Sequence, residues 1–335
     1  MPRGFSVVAI IAAYNEADII GAAVRDLIDQ NISVYLLDDG STDTTIQAVE
    51  PYVGRGVIGI ERLRPPEAPG EFRLREIVRR KAQLASTLDA DWFINHDADE
   101  FRESPWADVP LKEAIHRVDA LGYNAIDFAC FDFRLIDDRD WTGGDVRGAF
   151  PFYSEAAPYD RVQIRCWKKT ACVELESTGG HDTQFEGRKV FPLRFVLRHY
   201  PIRSQAHGER KVLLERQPRF AEEERTLGWH VQYEHVAEGT SFIQAPDTLR
   251  RFDPVDVRIA LALRHRGVED LEQSLEARKE DIKRLEGDLS STRSTLTETR
   301  AEVARLTSEL DAFRRSLSWR WTAPARAIYR LLTGR

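Results

Sequence analysis

Three short polar clusters in this sequence carry residue types that bind hard metal ions and diphosphates: Tyr14-Asn15-Glu16, Asp38-Asp39-Gly40-Ser41 and Asp97-Ala98-Asp99. Each follows a run of apolar residues, which would place each at the carboxyl end of a buried strand. Ligands of open α/β sheets bind at that edge. An Asp-x-Asp pair suits a divalent cation such as Mg²⁺ or Mn²⁺, which takes oxygen ligands and bridges diphosphate oxygens. Singly, each cluster is ordinary, since Asp-Gly-Ser makes turns and acidic residues cap helices. Their convergence on one edge is what forms a binding pattern. No GxGxxG follows the first strand and no GxxxxGK[ST] occurs, so a nucleotide here would rest on carboxylates and a metal, not on a glycine nest.

The elements that must hold these clusters can be read from apolar spacing. Residues 6–13 read as a buried strand, Ser33–Leu37 as a second, with short strands at Val57–Ile60 and Trp92–Asn95. Ile19, Ile20, Ala23, Val24, Leu27 and Ile28 recur at helical spacing, and further helices are expected over Thr44–Tyr52 and 71–88. This alternation predicts an α/β fold wound as βαβ units on a mainly parallel sheet. Arg75, Arg79, Arg80 and Lys81 on the 71–88 helix are candidates for a phosphate contact, although such basic faces are usually solvated. Beyond about residue 123 the pattern loosens. A strand is expected at Tyr123–Phe133 and a loop rich in Gly, Pro and aromatics at Trp141–Pro158. Strand-like runs follow at Arg161–Trp167, Ala171–Glu176 and Val190–His199, and helical spacing returns at 207–216.

Bulk composition narrows the function class. The 335 residues include 48 Lys+Arg and 55 Asp+Glu, a net charge of −7, so no nucleic-acid partner is expected. Cys130, Cys166 and Cys172 form no CxxC pair, and neither a disulfide framework nor a zinc site is expected from them. The apolar run Val7–Ala13 is short for a signal-peptide core and leads straight into Tyr14-Asn15-Glu16, as a first strand would. No run approaches the ~18 apolar residues that span a bilayer. A soluble or peripheral protein is expected, in a reducing, cytoplasmic setting.

Composition changes near residue 267. Apolar residues from Val268 through Leu275, Ile282, Leu289 and Leu296 to Leu317 alternate at spacings of three and four, if Arg278, Thr292 and Thr299 fill seam positions. Such unbroken heptads with charged flanks predict a coiled coil over 267–317, ~75 Å long, and hence a homo-oligomer. From Arg314 to Arg335 there are six arginines and no acids, interleaved with Trp319, Trp321, Ile328, Leu331 and Leu332. Arg and Trp on a short amphipathic segment suit an anionic membrane surface, with a protein partner as the competing expectation. The expected organisation is therefore a catalytic domain over 1–250, a linker over 251–266, the coiled coil over 267–317 and a basic amphipathic tail over 318–335.

Ala12-Ala13-Tyr14-Asn15-Glu16, Leu37-Asp38-Asp39-Gly40-Ser41-Thr42-Asp43 and Asp97-Ala98-Asp99-Glu100 resemble the successive signatures of family-2 glycosyltransferases with the Rossmann-like GT-A fold. The resemblance covers roughly residues 5–240. The run Asp99-Glu100-Phe101 together with the later His199-Tyr200-Pro201-Ile202-Arg203-Ser204 is similar to a subgroup of that family, and the tail resembles those of bacterial enzymes that build surface polysaccharide. The resemblance implies a nucleotide-sugar donor, a glycan or lipid-linked acceptor and a Mn²⁺ or Mg²⁺ cofactor. It implies that Asp39 faces the base or ribose, that Asn15 and Glu16 shape the same pocket, and that Asp97 meets the ribose or diphosphate. Asp99 would bind the metal with Asp97 and a later histidine, His199 by preference and His181 as the alternative. An inverting mechanism needs a carboxylate to take the acceptor proton. The family's usual Glu-Asp signature for that base is missing. Asp160, Glu174, Glu176 and Asp182 are open, and Asp160 is preferred because it follows the aromatic loop 150–159.

Two rival readings remain. A nucleotidyltransferase of the same fold would carry a Gly-rich basic loop after the first strand, where Tyr14-Asn15-Glu16 stands instead. A non-catalytic scaffold built on the coiled coil would have no need of Asp39, Asp97 and Asp99.

Overall fold

In the computed structural model the described residues are 4–67, 70–139, 141–155, 161–226, 229, 233, 235–264 and 266–334. They fall into two compact units, Met1–Gly267 and Val268–Arg335. The first unit is built on β1 (Val7–Ala13), which pairs in parallel with β2 (Ser33–Asp38) on one side and β4 (Trp92–Asp97) on the other. β3 (Val57–Arg62) extends this parallel half beyond β2. A parallel strand covered on both faces must be apolar throughout, and β1 divides its side chains accordingly. Val7, Ala9 and Ile11 pack with Ile20, Val24 and Leu27 of α1 (Ile20–Asp29) and with Leu111 and Ile115 of α4 (Leu111–Ala120). Val8 and Ile10 pack on the opposite face with Val78, Leu84 and Ala85 of α3 (Leu74–Thr87). The short α2 (Thr45–Val49) follows the second polar cluster.

The second half of the sheet is mixed. β5 (Glu100–Glu103), β6 (Ala125–Phe133), β7 (Phe152–Glu155), β8 (Ile164–Lys168) and β9 (Phe195–His199) supply it, with α5 (Val146–Ala149) between β6 and β7. β8 runs antiparallel between β4 and β6. A register shift at Ile126/Asp127 bends β6, so its later residues pair with β7 and, in parallel, with β9. β9 also pairs antiparallel with β5, which brings the end of β9 beside the third polar cluster.

Several expected boundaries move. Ala171–Glu176 contributes only an isolated bridge, Glu174 to Gln184, and the strand expected from Val190 begins at Phe195. The 207–216 helix is α6 (Gln205–Glu209) continued by a π-helix over Arg210–Arg216 and a 3₁₀ turn at Gln217–Arg219. α7 (Glu222–Thr226) follows. The stretch read as a linker holds β10 (Arg250–Arg251), which pairs with β7, and α8 (Pro254–Leu263), whose Val257 and Leu261 pack against Val196. Asp253 caps α8 by accepting from the Val255 and Asp256 amides. The long helix α9 (Arg266–Arg315) leads into α10 (Leu317–Trp321) and α11 (Ala323–Thr333). Among the described residues no helix is long and apolar enough to cross a membrane.

Candidate active site

The first two polar clusters are stitched together at the carboxyl ends of β1 and β2. Asn15 adopts a left-handed backbone (φ 53°), a conformation Asn tolerates better than most residues. Its amide donates to Ser41 Oγ at 3.0 Å, and its Oδ1 accepts from the Thr42 amide at 2.8 Å. The Glu16 amide donates to Thr45 Oγ1 at 2.9 Å. Gly40, at φ 84°, makes the turn that lets Asp38 accept from the Ser41 amide. Asp38 is therefore a brace, whereas Asp39 turns toward the cleft. Its buried carboxylate is gripped by Arg64 and by Arg219, the latter at 3.1 Å.

The third cluster sits where β4 passes into β5. Asp97 meets Arg165 at 2.7 Å and Lys81 at 3.5 Å, and its side chain stays 40% exposed. Burial of the group would raise its pKa, but Arg165 and Lys81 hold the carboxyl well below the usual range. Glu100 takes the other arm of Arg165 at 2.5 Å and also pairs with Arg102. Lys81 projects from α3, on the same face as Ile77, Val78, Leu84 and Ala85, and donates to Asn95 Oδ1 and the His96 carbonyl. Burial pushes its ammonium down to about 8. Asn95 in turn donates to the Gly180 carbonyl at 2.8 Å; a Cβ at Gly180 would fall 2.5 Å from that Asn95 nitrogen. Of the other candidate phosphate contacts, Arg79 pairs with Glu176 and Arg80 with Glu61.

Asp99 is the pivot of the site. Its Oδ2 receives Lys211 Nζ at 2.8 Å, while its Oδ1 faces His199 Nε2 at 3.7 Å. His199 Nδ1 lies 2.7 Å from Asp132 Oδ1, so the imidazole is held from behind and aimed at Asp99. Burial opposes the charged imidazole, but Asp99 and Asp132 raise its pKa well above the ordinary histidine value. Lys211 also reaches Glu16 at 2.8 Å, and Glu16 is further paired with Arg203 at 2.5 Å. The cluster Glu16–Asp18–His207 has ligand atoms close enough for a metal, yet the Arg203 guanidinium already occupies it, bonded to both carboxylates. Cys130, Asp132 and His199 also cluster within 4.8 Å.

The segment after β9 is the part that sequence reasoning missed. From the π-helix and the turn after it, Lys211 reaches Glu16 and Asp99, Glu215 accepts from Asn15 Nδ2 at 2.9 Å, and Arg219 reaches Asp39. One ten-residue stretch thus contacts all three clusters. Arg216 lies 4.9 Å over the Phe72 ring and lines the cleft, with no carboxylate partner among the described residues. Lys211 and Arg216 are five residues apart, which aligns them on a π-helix but not on the 3.6-residue period sought in a sequence. The cleft encloses about 620 Å³, in the range of small-molecule sites, and Asp39, Asp97, Asp99, His199, Lys211 and Arg216 all line it.

The structure thus gathers Glu16, Asp39, Asp97, Asp99 and His199 around one cleft, whereas Asn15 does not line it, its side chain being spent on the Thr42 amide and Glu215. Within it Asp99 and His199 face each other, while the Asp97 oxygens turn to Arg165 and Lys81. His181 also lines the cleft, but its Nδ1 lies 3.0 Å from Gln163 Nε2, and burial lowers its pKa to about 4. Asp160 lies outside the described residues.

Among solved structures, Staphylococcus aureus TarS is similar at 15% identity and TM-score 0.35, covering 58% of this chain and 37% of that one. TarS 1–349 in complex with UDP gives 14% identity and TM-score 0.36, covering 59% and 61%. Glucosyl-3-phosphoglycerate synthase from Mycobacterium tuberculosis, in complex with phosphoglyceric acid, gives 21% identity and TM-score 0.25, covering 38% and 44%. The chain therefore aligns with less than two thirds of each of these proteins. No curated protein matches the sequence. Residues 8–107, which carry all three polar clusters, match the family model described as Glycosyl transferase family 2, and over that segment the family resemblance is shown.

Proposed function

We propose that this chain transfers a hexosyl group, with inversion, from a nucleoside-diphosphate donor to a hydroxyl of a glycan or lipid-linked acceptor. The observation that carries the reading is the juxtaposition of Asp99 Oδ1 and His199 Nε2, with Asp132 behind the imidazole. Asp99 and His199 would hold a Mn²⁺ or Mg²⁺ ion once the imidazole gives up its Nε2 proton, with Asp132 orienting the ring from behind. Such an ion, when bound, stabilises the charge that develops on the departing diphosphate.

The chain's own residues do the rest. Asp39 and Tyr14 border the part of the cleft assigned to the base, where Arg219 stacks 3.8 Å over the Tyr14 ring. Asp97, the most exposed of the cluster carboxylates, is assigned to the ribose. Lys211 and Arg216 supply fixed positive charge for the diphosphate, in a cleft where such charges act more strongly than in water. Asp160 is retained as the candidate that accepts the acceptor proton. Nucleoside-diphosphate release from a panel of sugar nucleotides, with and without Mn²⁺, tests the whole reading. Transfer from at least one donor, stimulated by Mn²⁺, is expected; no release from any donor would overturn it.

The second unit is assigned to placement of the enzyme. α9 is read as a self-association helix. α11, with Ile328, Leu331 and Leu332 exposed and Arg326 and Arg330 one turn apart, is read as a contact for an anionic membrane, at its cytoplasmic face.

A further inference from the structure

α9 runs as one helix from Arg266 to Arg315, and its apolar stripe is bare. Leu275, Ile282, Leu289, Leu296, Val303 and Leu310 recur every seven residues and are each 49–57% exposed. With these at the a position of a heptad, the two flanking stripes differ in sign. The g stripe holds Asp281, Asp288, Glu302 and Glu309, with Thr295 and no base. The e stripe holds Lys279, Arg293, Arg300 and Arg314, with Glu286 and Thr307. Parallel helices bring g against e of the other copy, whereas antiparallel helices bring g against g and e against e. An antiparallel pair would therefore line acid with acid along one edge and mostly base with base along the other.

We propose that the seam is covered by a second copy of this chain, parallel and in register, with Asp288 paired to the partner's Arg293 and Glu309 to the partner's Arg314. The inference rests on the reading of α9 as a self-association helix and adds its direction and register. Charges within the helix agree with the Asp288–Arg293 pair, whereas Glu309 already pairs with Arg305 and Arg314 lies 3.9 Å from Asp311, so the second pair would share those charges. Asp288 and Arg293 have no ion-pair partner among the described residues, so both are available across the seam. The one like-charge meeting of the parallel register, Asp281 with the partner's Glu286, is relieved because Arg284 already holds Asp281 at 2.7 Å. Arg278 sits in the seam opposite its own copy, and its long stem carries the guanidinium outward to water. That layer, with Thr292 and Thr299, makes the association modest.

The test uses the full chain in a Cys172→Ser background, because Cys172 is the exposed cysteine. Single cysteines at the two ends of the seam, Leu275→Cys and Leu310→Cys, should each form own-copy disulfides on mild oxidation. Gly287→Cys, on the outer face of the helix, should not. In an antiparallel pair, positions 275 and 310 would each lie ~50 Å from their own copy, and neither would cross-link. Sedimentation separates the two levels. A monomer at tens of micromolar retires self-association itself, whereas an oligomer without disulfides at 275 and 310 overturns only the parallel arrangement. Asp288→Arg and Arg293→Glu should each weaken association about fivefold, and the double variant should recover it. Identical association in all four proteins would refute the register.

Discussion

Replacing Lys211 by Met removes a buried cation while keeping most of its volume. Lys211 Nζ lies 2.8 Å from Glu16, 2.8 Å from Asp99 and 3.1 Å from the Pro201 carbonyl. Glu16 would keep Arg203, and Asp99 would keep only His199 at 3.7 Å. Breaking one side of a buried pair costs about 3–5 kcal/mol, because a buried charge is left without its partner. The remaining contacts place the expected loss near the lower end, about 3 kcal/mol. For a unit of this size that is a fall in Tm of roughly 6–12 °C. Thermal unfolding followed by circular dichroism measures it. Adding Asp99→Asn to Lys211→Met should recover part of the loss, since the orphaned charge is gone, and Mn²⁺ should stabilise Lys211→Met more than the parent. A Tm change under 2 °C, or no recovery in the double variant, would refute the idea that Lys211 is the counter-ion of Asp99.

Asp99→Asn alone should leave the fold nearly as stable, because Lys211 still has Glu16, yet abolish the Mn²⁺-dependent part of UDP or GDP binding in titration calorimetry. Glu16 gives a pH dependence of definite sign: burial pushes its pKa up, but Lys211 and Arg203 hold it well below 4.5. Its contribution is therefore complete above pH 4.5 and is lost as the pH falls toward the depressed value, so the stability gap between parent and Glu16→Gln should close on acidification. Asp160→Asn should cut kcat by about two orders of magnitude with donor binding unchanged; an unaltered kcat removes Asp160 as the base. Deleting 314–335 should abolish co-sedimentation with anionic liposomes, which for the full chain should weaken with salt.

The parallel half of the sheet was legible because β1 is apolar throughout, β2 and β4 carry short apolar runs (Val34–Leu37 and Trp92–Ile94), and each strand leads into a polar cluster. The inward turn of Lys81 was not read from the sequence, which grouped it with Arg75, Arg79 and Arg80 on a solvated face, although the spacing carried the signal. Lys81 shares a helical face with Ile77, Val78, Leu84 and Ala85, so a basic residue there is buried, unlike Arg79 and Arg80. His199 was singled out by its place in a motif; its approach to Asp99 depends on the β5–β9 pairing, which no local pattern encodes. The π-helix was hidden because its period differs from the one searched. α8 passed for a linker because only Val257 and Leu261 of its apolar residues are buried, while Val255, Ile259 and Leu263 face outward.

The acids and cations of the site come from different parts of the chain, and that division limits what the family segment does by itself. Glu16, Asp39, Asp97 and Asp99 all precede residue 107, but their counter-ions come largely from beyond it. Asp97 pairs with Arg165, 68 residues on, and Asp99 with Lys211, 112 residues on. Asp39 pairs with Arg219 and Glu16 with Arg203, at separations of 180 and 187. A fragment ending at 107 would hold four neighbouring carboxylates with Lys81 and Arg64 as their remaining ion-pair partners among the described residues, a charge excess that opposes burial of any of them. The cleft therefore closes electrostatically only when the segment 203–219 lies across the three clusters. Of these counter-ions only Lys211, held between Glu16 and Asp99, is also one of the two cations that the proposed function assigns to the diphosphate.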